Sequence, residues 1–427
     1  MKDACVIGAG SSGIAAIKVL KERGISFDCF ETGSGIGGNW RFMNDNGMSS
    51  AYRSLHINTS KRLMAFSDYP MPDAYPDYPH HSEVLSYFES YVDHFGLREH
   101  ITFQTAVERV RATQPGYEVD TSDGETRRYR AVLVANGHHW DAVLPNFEGR
   151  FDGETMHSHD YKTPHCLVDK RVLVVGIGNS AVDIACEGCR VARRLVLSTR
   201  RSAHIFPKYM FGVPTDSLID PRVSRLPFRL QVNMAKALLR ITQGEQTRYG
   251  MPLPDHSVAQ AHPTISDELL HLVGHGRIEM KPNVQGLEAD GVAFVDGTRD
   301  PFDLIIFATG YRVSFPFLDR SLFSPDENDV SLYLRVVPPN QPNLYFIGLV
   351  QPLGAIMPIA EEQSKWVARL LRDELQLPSR AVMEKEIQRY KRDLRRRYVK
   401  SRRHTIQVDF HPYLRTLRGQ SRAGLRR

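Results

Sequence analysis

The feature that most restricts the fold of this 427-residue chain is a short apolar strand that breaks into a glycine turn and continues as a helix, because it occurs twice. First, Ala4, Cys5, Val6 and Ile7 run into Gly8, Ala9, Gly10, Ser11, Ser12 and Gly13, and a helical pattern continues to Leu20. Later, a strand from Val172 runs into Gly176, Ile177, Gly178, Asn179, Ser180 and Ala181, with a helical pattern to Ala185. Strand, glycine turn and helix in that order start a βαβ unit. An α/β protein with two Rossmann-like domains is expected.

The glycines have separable duties. In the first turn, Gly8 can make the tight bend, Gly10 leaves room for a pyrophosphate to reach backbone, and Gly13 lets helix pack on strand. A phosphate would then sit on the helix N-terminus. Glu31, after Cys29 and Phe30 at the end of the second strand, can bind both ribose hydroxyls. It stands 23 positions beyond Gly8, and the same offset from Gly176 reaches Thr199, followed by Arg200 and Arg201. An acid there would repel a 2′-phosphate, whereas a hydroxyl and two guanidiniums would bind it. The first turn is therefore read as an FAD site and the second as an NADPH site.

Two more apolar strands end in glycine, Ala131 to Val134 before Gly137 and Leu304 to Phe307 before Gly310, and they bracket the second repeat. The simplest arrangement inserts the second dinucleotide domain into the first. Residues 1–164 begin the FAD-binding domain, 165–305 form the inserted NADPH-binding domain, and 306–427 return to the first with a C-terminal helical extension. Within the return, Leu344 to Ile347 reads as a strand and Ile356 to Leu371 as a helix burying Ile359, Val367, Leu370 and Leu371. Ser67 to His81 is too rich in proline for regular helix; a helix is expected from Ser82, capped by its hydroxyl with Glu83 in the first turn.

Charge adds little about partners. Lys and Arg total 55 against 49 Asp and Glu, so no uniform field for nucleic acid arises, and the basic run from Lys391 to Arg403 with Arg426 and Arg427 reads as a solvated helix face and tail. Five cysteines, Cys5, Cys29, Cys166, Cys186 and Cys189, have no framework spacing, which suggests a reducing compartment and a cytoplasmic location. With the first strand beginning at Ala4 no signal peptide is expected, and no apolar window is long enough for a membrane span. The pairs His80 and His81, and His138 and His139, lack metal-ligand spacing, so no metal is expected. Cys186 and Cys189 could suggest a redox pair, but three residues apart on a helix they read better as packing residues.

Between the two turns, Phe151 to Tyr161 matches FxGxxxHxxxY, the fingerprint of flavin-containing monooxygenases, and here the chain resembles a known family. The resemblance extends through GGNWRF at Gly37 to Phe42, NTSKRLMAFSDYP from Asn58 to Pro70, GNSAVDIA from Gly178, STRR from Ser198, ATGY from Ala308 and RYVKSRRHTIQVD from Arg397. It implies that NADPH reduces FAD and that a C4a-hydroperoxyflavin formed with O2 passes one oxygen atom to a soft nucleophile, such as an amine nitrogen or sulfide sulfur. It also implies that Asn58, followed by Thr59, contacts cofactor near the flavin and nicotinamide, that Asn39 and Trp40 lie along the FAD, and that His157 belongs to a linker segment rather than acting as a base. The partners implied are a small-molecule nucleophile and O2, without nucleic acid and without the apolar C-terminal anchor of vertebrate relatives; a homodimer is admitted.

Three alternatives stay open at this point. Baeyer–Villiger oxidation of a ketone would use the same cofactors, although its fingerprint usually ends in tryptophan where this chain has Tyr161. A disulfide reductase or diaphorase would pass electrons onward without oxygenating. A nucleotide sensor would bind without turnover. The substrate pocket would be built from loops such as Tyr69 to His81 and Phe206 to Pro254, whose pairing sequence does not reveal.

Overall fold

A computed structural model describes residues 1–218, 222–325, 328–398 and 405–423. It divides into two compact units, one comprising Met1–Ala51, Leu55–Asp141 and Arg312–Arg427, the other Tyr52–Ser54 and Ala142–Tyr311.

In the first unit, β1 (Lys2–Ile7) leads through the glycine turn into α1 (Ser11–Glu22) and back to β2 (Phe27–Phe30). β1 is buried from Ala4 onward and lies parallel to its neighbours on both sides, which is why it reads as an uninterrupted apolar run. After α2 (His81–His94) come β3 (Ile101–Thr102), β4 (Val107–Thr113), β5 (Gly116–Thr121) and β6 (Thr126–Val134), in the spatial order β3-β2-β1-β6-β5-β4. The returning strand Leu344–Phe346 adds to β6 in parallel, and the helix Met357–Leu371 covers α1 with Ile359, Val367, Leu370 and Leu371 all buried.

The second unit repeats the plan. β7 (Glu154–His157), β8 (Arg171–Val175), β9 (Arg194–Ser198), β10 (Glu279–Lys281) and β11 (Leu304–Phe307) form a wholly parallel sheet in the order β10-β9-β8-β11-β7, and α3 (Asn179–Gly188) leaves β8 at the second glycine turn. Each glycine-turn strand thus sits in the interior of its sheet, between the strand that follows its helix and a later strand that returns alongside it.

Two expected boundaries differ. Apart from Tyr52–Ser54, the second unit starts at Ala142 rather than at 165, with β7 paired to β11 in the second sheet, and it runs on to Tyr311 rather than ending at 305. The helix expected from Ser82 begins at His81, and its cap is His80: the imidazole accepts the Ser82 N–H while Glu83 accepts the His80 N–H at 2.8 Å. A histidine nitrogen thus does the work assigned to the serine hydroxyl.

Gly13 is the tightest point of the first turn, since a methyl group there would collide with the Gly8 carbonyl oxygen. Replacing Gly13 by alanine is expected to cost at least roughly 1–3 kcal/mol and to lower both Tm and the flavin retained on purification. Thermal unfolding and visible absorbance check this, and an unchanged flavin content would contradict it.

Candidate functional site

The first turn is an open cradle lined by backbone. Gly8, at φ +97°, brings its Cα so close to β6 that a Cβ would lie 2.9 Å from the Ala135 carbonyl oxygen. Gly10 caps α1 with extended backbone and no side-chain hydrogen bond, so the first N–H groups of α1 are not satisfied by a cap. Gly38 closes the other wall: a Cβ on it would sit 3.1 Å from the Gly10 Cα, and the neighbouring Gly37 N–H donates to the Ala9 carbonyl at 3.1 Å. Any side chain at Gly10 or Gly38 would enter the space above the helix N-terminus. A positive helix end walled by glycine is the donor set a pyrophosphate requires, so the residues present fit a dinucleotide.

Glu31 is buried and close to the turn but already occupied in part. Its carboxylate accepts the Ala9 N–H at 2.8 Å, the Gly33 N–H at 2.8 Å and the Asn46 amide at 3.2 Å. Those bonds take three of roughly four acceptor positions, so Glu31 shapes the turn as well as offering a remaining lone pair to a ribose hydroxyl. Ser11 and Ser12 open α1, and the Ser12 hydroxyl lies against Gly348, φ +76°, where a Cβ would strike it. The Gly348 N–H is held by the fully buried Gln363 side chain at 2.8 Å. Gly348, just beyond the strand Leu344–Phe346, is thus a third wall.

The GGNW segment divides its roles. The Asn39 side-chain oxygen accepts both the N–H and the hydroxyl of Ser50 at 2.8 Å, so this residue orders the following loop, and Trp40 is half-buried against the core. Asn58 is half-buried, and among the described residues its amide has no hydrogen-bond partner. Thr59 makes a long contact, 3.5 Å, to the Gly354 carbonyl.

In the second unit, Gly176, φ +140°, presses against β11, where a Cβ would lie 2.6 Å from the Ala308 carbonyl oxygen. Gly178 caps α3 without a side-chain bond, and Ala181 is buried. The turn is braced from a strand that sequence gave no reason to link to it: the Asn179 side chain accepts the Ile265 N–H at 2.8 Å, and Thr264 donates to the Ile177 carbonyl at 2.7 Å. Asn179 therefore braces the turn, and Ser180 beside it is half-buried. The expected 2′-phosphate group of residues is split. Thr199 is buried with its hydroxyl donated to the Arg201 carbonyl at 2.5 Å, and Arg201 pairs with Asp255 at 3.2 Å. Arg200 is exposed, with no ion-pair partner among the described residues.

The fingerprint histidine is packed inside the second unit. His157 is buried at the end of β7, its Nδ1 accepts the His159 N–H at 3.0 Å, its ring stands edge-on to Tyr311 at 5.3 Å, and burial holds its pKa below the ordinary imidazole value. With Nδ1 accepting, the neutral ring carries its proton on Nε2. Tyr161, at the end of the fingerprint, is buried and donates to Glu187 at 2.6 Å.

Among the described residues no group of three His, Cys, Asp or Glu could hold a metal ion, and no helix is long and apolar enough to cross a membrane. Of the basic C-terminal run, Lys391 pairs with Asp329 and Arg397 with Asp409; positions 399–403 of that run, with Arg426 and Arg427, lie outside the described residues. Cys186 and Cys189 are free and buried, with burial raising the first thiol to about 12 and raising the second too. Thiolates are the reactive form. A thiol-exchange reagent at neutral pH is accordingly expected to label both only after denaturation, and rapid labelling of the native protein would contradict that.

Comparison with known proteins converges on one group. A family model described as FMO-like, flavin-binding monooxygenase-like, matches residues 1–422. The chain is 42% identical over 430 residues to flavin-containing monooxygenase 5 of Oryctolagus cuniculus, covering 96% of this chain and 80% of that one. It is 36% identical over 438 residues to the N-oxide-forming dimethylaniline monooxygenase 2 of Mus musculus, covering 97% and 81%. Among solved structures, S-allyl-L-cysteine S-oxygenase from Allium sativum superposes with a TM-score of 0.74 at 25% identity, covering 98% and 88%. The NADP+-bound cyclohexanone monooxygenase from Rhodococcus sp. Phi1 gives 0.71 at 21%, covering 98% and 97%, a likeness of fold.

Proposed function

Because this chain belongs to the flavin-binding monooxygenase family and is an FAD-containing, NADPH-dependent monooxygenase, we propose that its substrates are small soft nucleophiles oxygenated at amine nitrogen or sulfide sulfur. The single observation that carries this choice is the kinship, at 36% identity over nearly the whole chain, with an N-oxide-forming enzyme. Tyr161 agrees with it, standing where the Baeyer–Villiger fingerprint usually has tryptophan.

In this reading the first turn holds FAD through Gly8, Ala9, Gly10, Ser11, Ser12 and Gly13, with Glu31 toward a ribose and Gly38 and Gly348 walling the phosphates. Asn39 and Trp40 support the flavin side of the same unit. The second turn holds NADPH through Gly176, Gly178, Asn179, Ser180 and Ala181, with Thr199, Arg200 and Arg201 at the 2′-phosphate. When bound, the flavin supplies the oxygen-activating chemistry that no side chain can. The protein's residues bind, orient and exclude water; Asn58, with an amide that can donate and accept at once, is the one assigned to the reacting end. Five free cysteines, four of them buried, support a reducing compartment such as the cytoplasm.

Two experiments test the reading. Incubation with NADPH, O2 and an equimolar mixture of a thioether and a ketone is expected to give sulfoxide as the main product. Ester or lactone as the main product would move the chain to Baeyer–Villiger chemistry, and NADPH consumption with only hydrogen peroxide would remove the oxygenase assignment. Separately, Arg200→Ser is expected to weaken NADPH binding about five- to tenfold while leaving NADH binding little changed, because one exposed charge-assisted bond to the 2′-phosphate is lost. Equal weakening of both coenzymes would place Arg200 outside the phosphate site.

A further inference from the structure

Helix α3, which starts at the second glycine turn, carries Asp183 and Glu187 one turn apart on the same face. Like charges at that spacing repel, so the face needs hydrogen-bond donors. They come from two tyrosines distant in sequence. Tyr52 donates to Asp183, and Tyr161 donates to Glu187 at 2.6 Å. Both rings are buried, their centroids lie 6.0 Å apart, and beside them the Arg53 N–H donates to the Lys162 carbonyl at 2.9 Å. Burial drives both phenols far above the ordinary tyrosine range, so each remains a donor across physiological pH.

The placement of Tyr52 is unusual. Of the first 141 residues, only Tyr52–Ser54 belong to the second unit; the chain on either side belongs to the first. Of the three, Tyr52 is buried while Arg53 and Ser54 are exposed, so the segment is held by one buried ring together with the directed bonds of Tyr52 and Arg53. Two short segments, 52–53 and 161–162, are therefore bonded to one another and to the same face of the helix whose first turn is the nucleotide site.

We propose that Tyr52 and Tyr161 are positioning residues for the NADPH helix, and that position 161 requires a side chain whose hydrogen-bond donor reaches Glu187. This rests on the assignment of the second turn to NADPH. Removing a donor leaves a carboxylate unpaired beside its neighbour, and α3 relieves the repulsion by shifting. The pyrophosphate loses aligned N–H groups as a result. Tryptophan offers one N–H on a flat apolar ring and can replace the phenol; phenylalanine has the ring without the donor.

Asp183 adds a signature that simple packing would lack. Its half-buried carboxyl is pushed up to about 6 by desolvation, with Tyr52 and the Lys208 ammonium opposing the rise and Glu187 and Glu268 adding to it. A carboxyl whose folded pKa exceeds its unfolded value stabilises the fold at acid pH, and that contribution is lost as pH climbs through about 6. Asparagine at 183 keeps an acceptor for Tyr52 and removes the titration.

The test titrates full-length holoenzyme with NADP+ at about pH 8, where Asp183 is ionised, in the variants Tyr161→Phe, Tyr161→Trp, Tyr52→Phe and Asp183→Asn, and follows Tm against pH. Tyr161→Phe and Tyr52→Phe are expected to weaken NADP+ binding about fivefold or more, while Tyr161→Trp stays within about twofold of the parent. The Tm of Asp183→Asn relative to the parent is expected to rise as pH passes upward through about 6. Phenylalanine variants that bind as well as the parent, a tryptophan variant as weak as phenylalanine, or a pH-independent Tm difference for Asp183→Asn would each overturn the proposal. Should Tyr161→Phe fail to fold, Tyr161→Trp and Tyr52→Phe still decide it. A parent that bound no NADP+ would instead remove the NADPH assignment itself.

Discussion

Everything else in this protein depends on a close backbone approach: a helix that starts directly after a buried parallel strand, with no side chain in the gap. At the first turn this demands glycine at positions 8 and 13, where a Cβ would meet the Ala135 or the Gly8 carbonyl; at the second it demands Gly176, pressed on Ala308. The approach serves a purpose beyond compactness. It leaves the N-terminal amides of α1 and α3 without side-chain caps, and uncapped amides at the positive end of a helix are open to an anion. A phosphate is the natural partner, and a bound nucleotide would add its binding free energy to the stability of the fold.

Much of this was legible in sequence because it is local. Strand, turn and helix lie within about twenty residues of each other, their periodicities are strong, and glycine has few other reasons to occur at such spacing. The strand Leu344–Phe346 and the inward face of Met357–Leu371 were readable for the same reason. What failed to show was non-local or involved unusual donors. His80 capping α2 escaped notice because serine is the commoner cap, although the two residues stand only two positions apart. Thr264 bracing Ile177, and Asp255 pairing with Arg201, join positions tens of residues apart with no periodic signal between them. The visit of Tyr52–Ser54 to the second unit had no signature at all, since nothing in the tripeptide Tyr-Arg-Ser distinguishes it from an ordinary loop.

The charged residues show how occupancy alters a motif's meaning. Glu31 and Arg201 were both singled out for ligand chemistry, and both turn out to have protein partners: Glu31 holds the Ala9 and Gly33 amides, Arg201 holds Asp255. For Glu31 the partners preorganise the turn, since a carboxylate fixed by two backbone N–H groups loses little further freedom on meeting a ribose. For Arg201 the effect is opposite. Its exposed pairing with Asp255 competes with any phosphate, which leaves Arg200 as the cation whose charge is uncommitted among the described residues. The two arginines are adjacent in sequence and alike in chemistry, yet only one of them has an ion-pair partner among the described residues.

A shared fold carries less information about the reaction than these small asymmetries. The chain superposes about as well on a cyclohexanone monooxygenase at 21% identity as on an S-oxygenase at 25%, so two glycine-turn sheets are common to enzymes whose names state different substrates. Since the flavin supplies the oxygen-activating chemistry in either case, a protein can bias the outcome only through what it places around the cofactors. Within the first unit the described turn is walled by glycines, and the half-buried Asn58 amide has no hydrogen-bond partner among the described residues, so the groups left open there are neutral. Neutral groups fix geometry without adding a charge that would hold water, which suits an enzyme whose oxygen is meant for a substrate rather than for water.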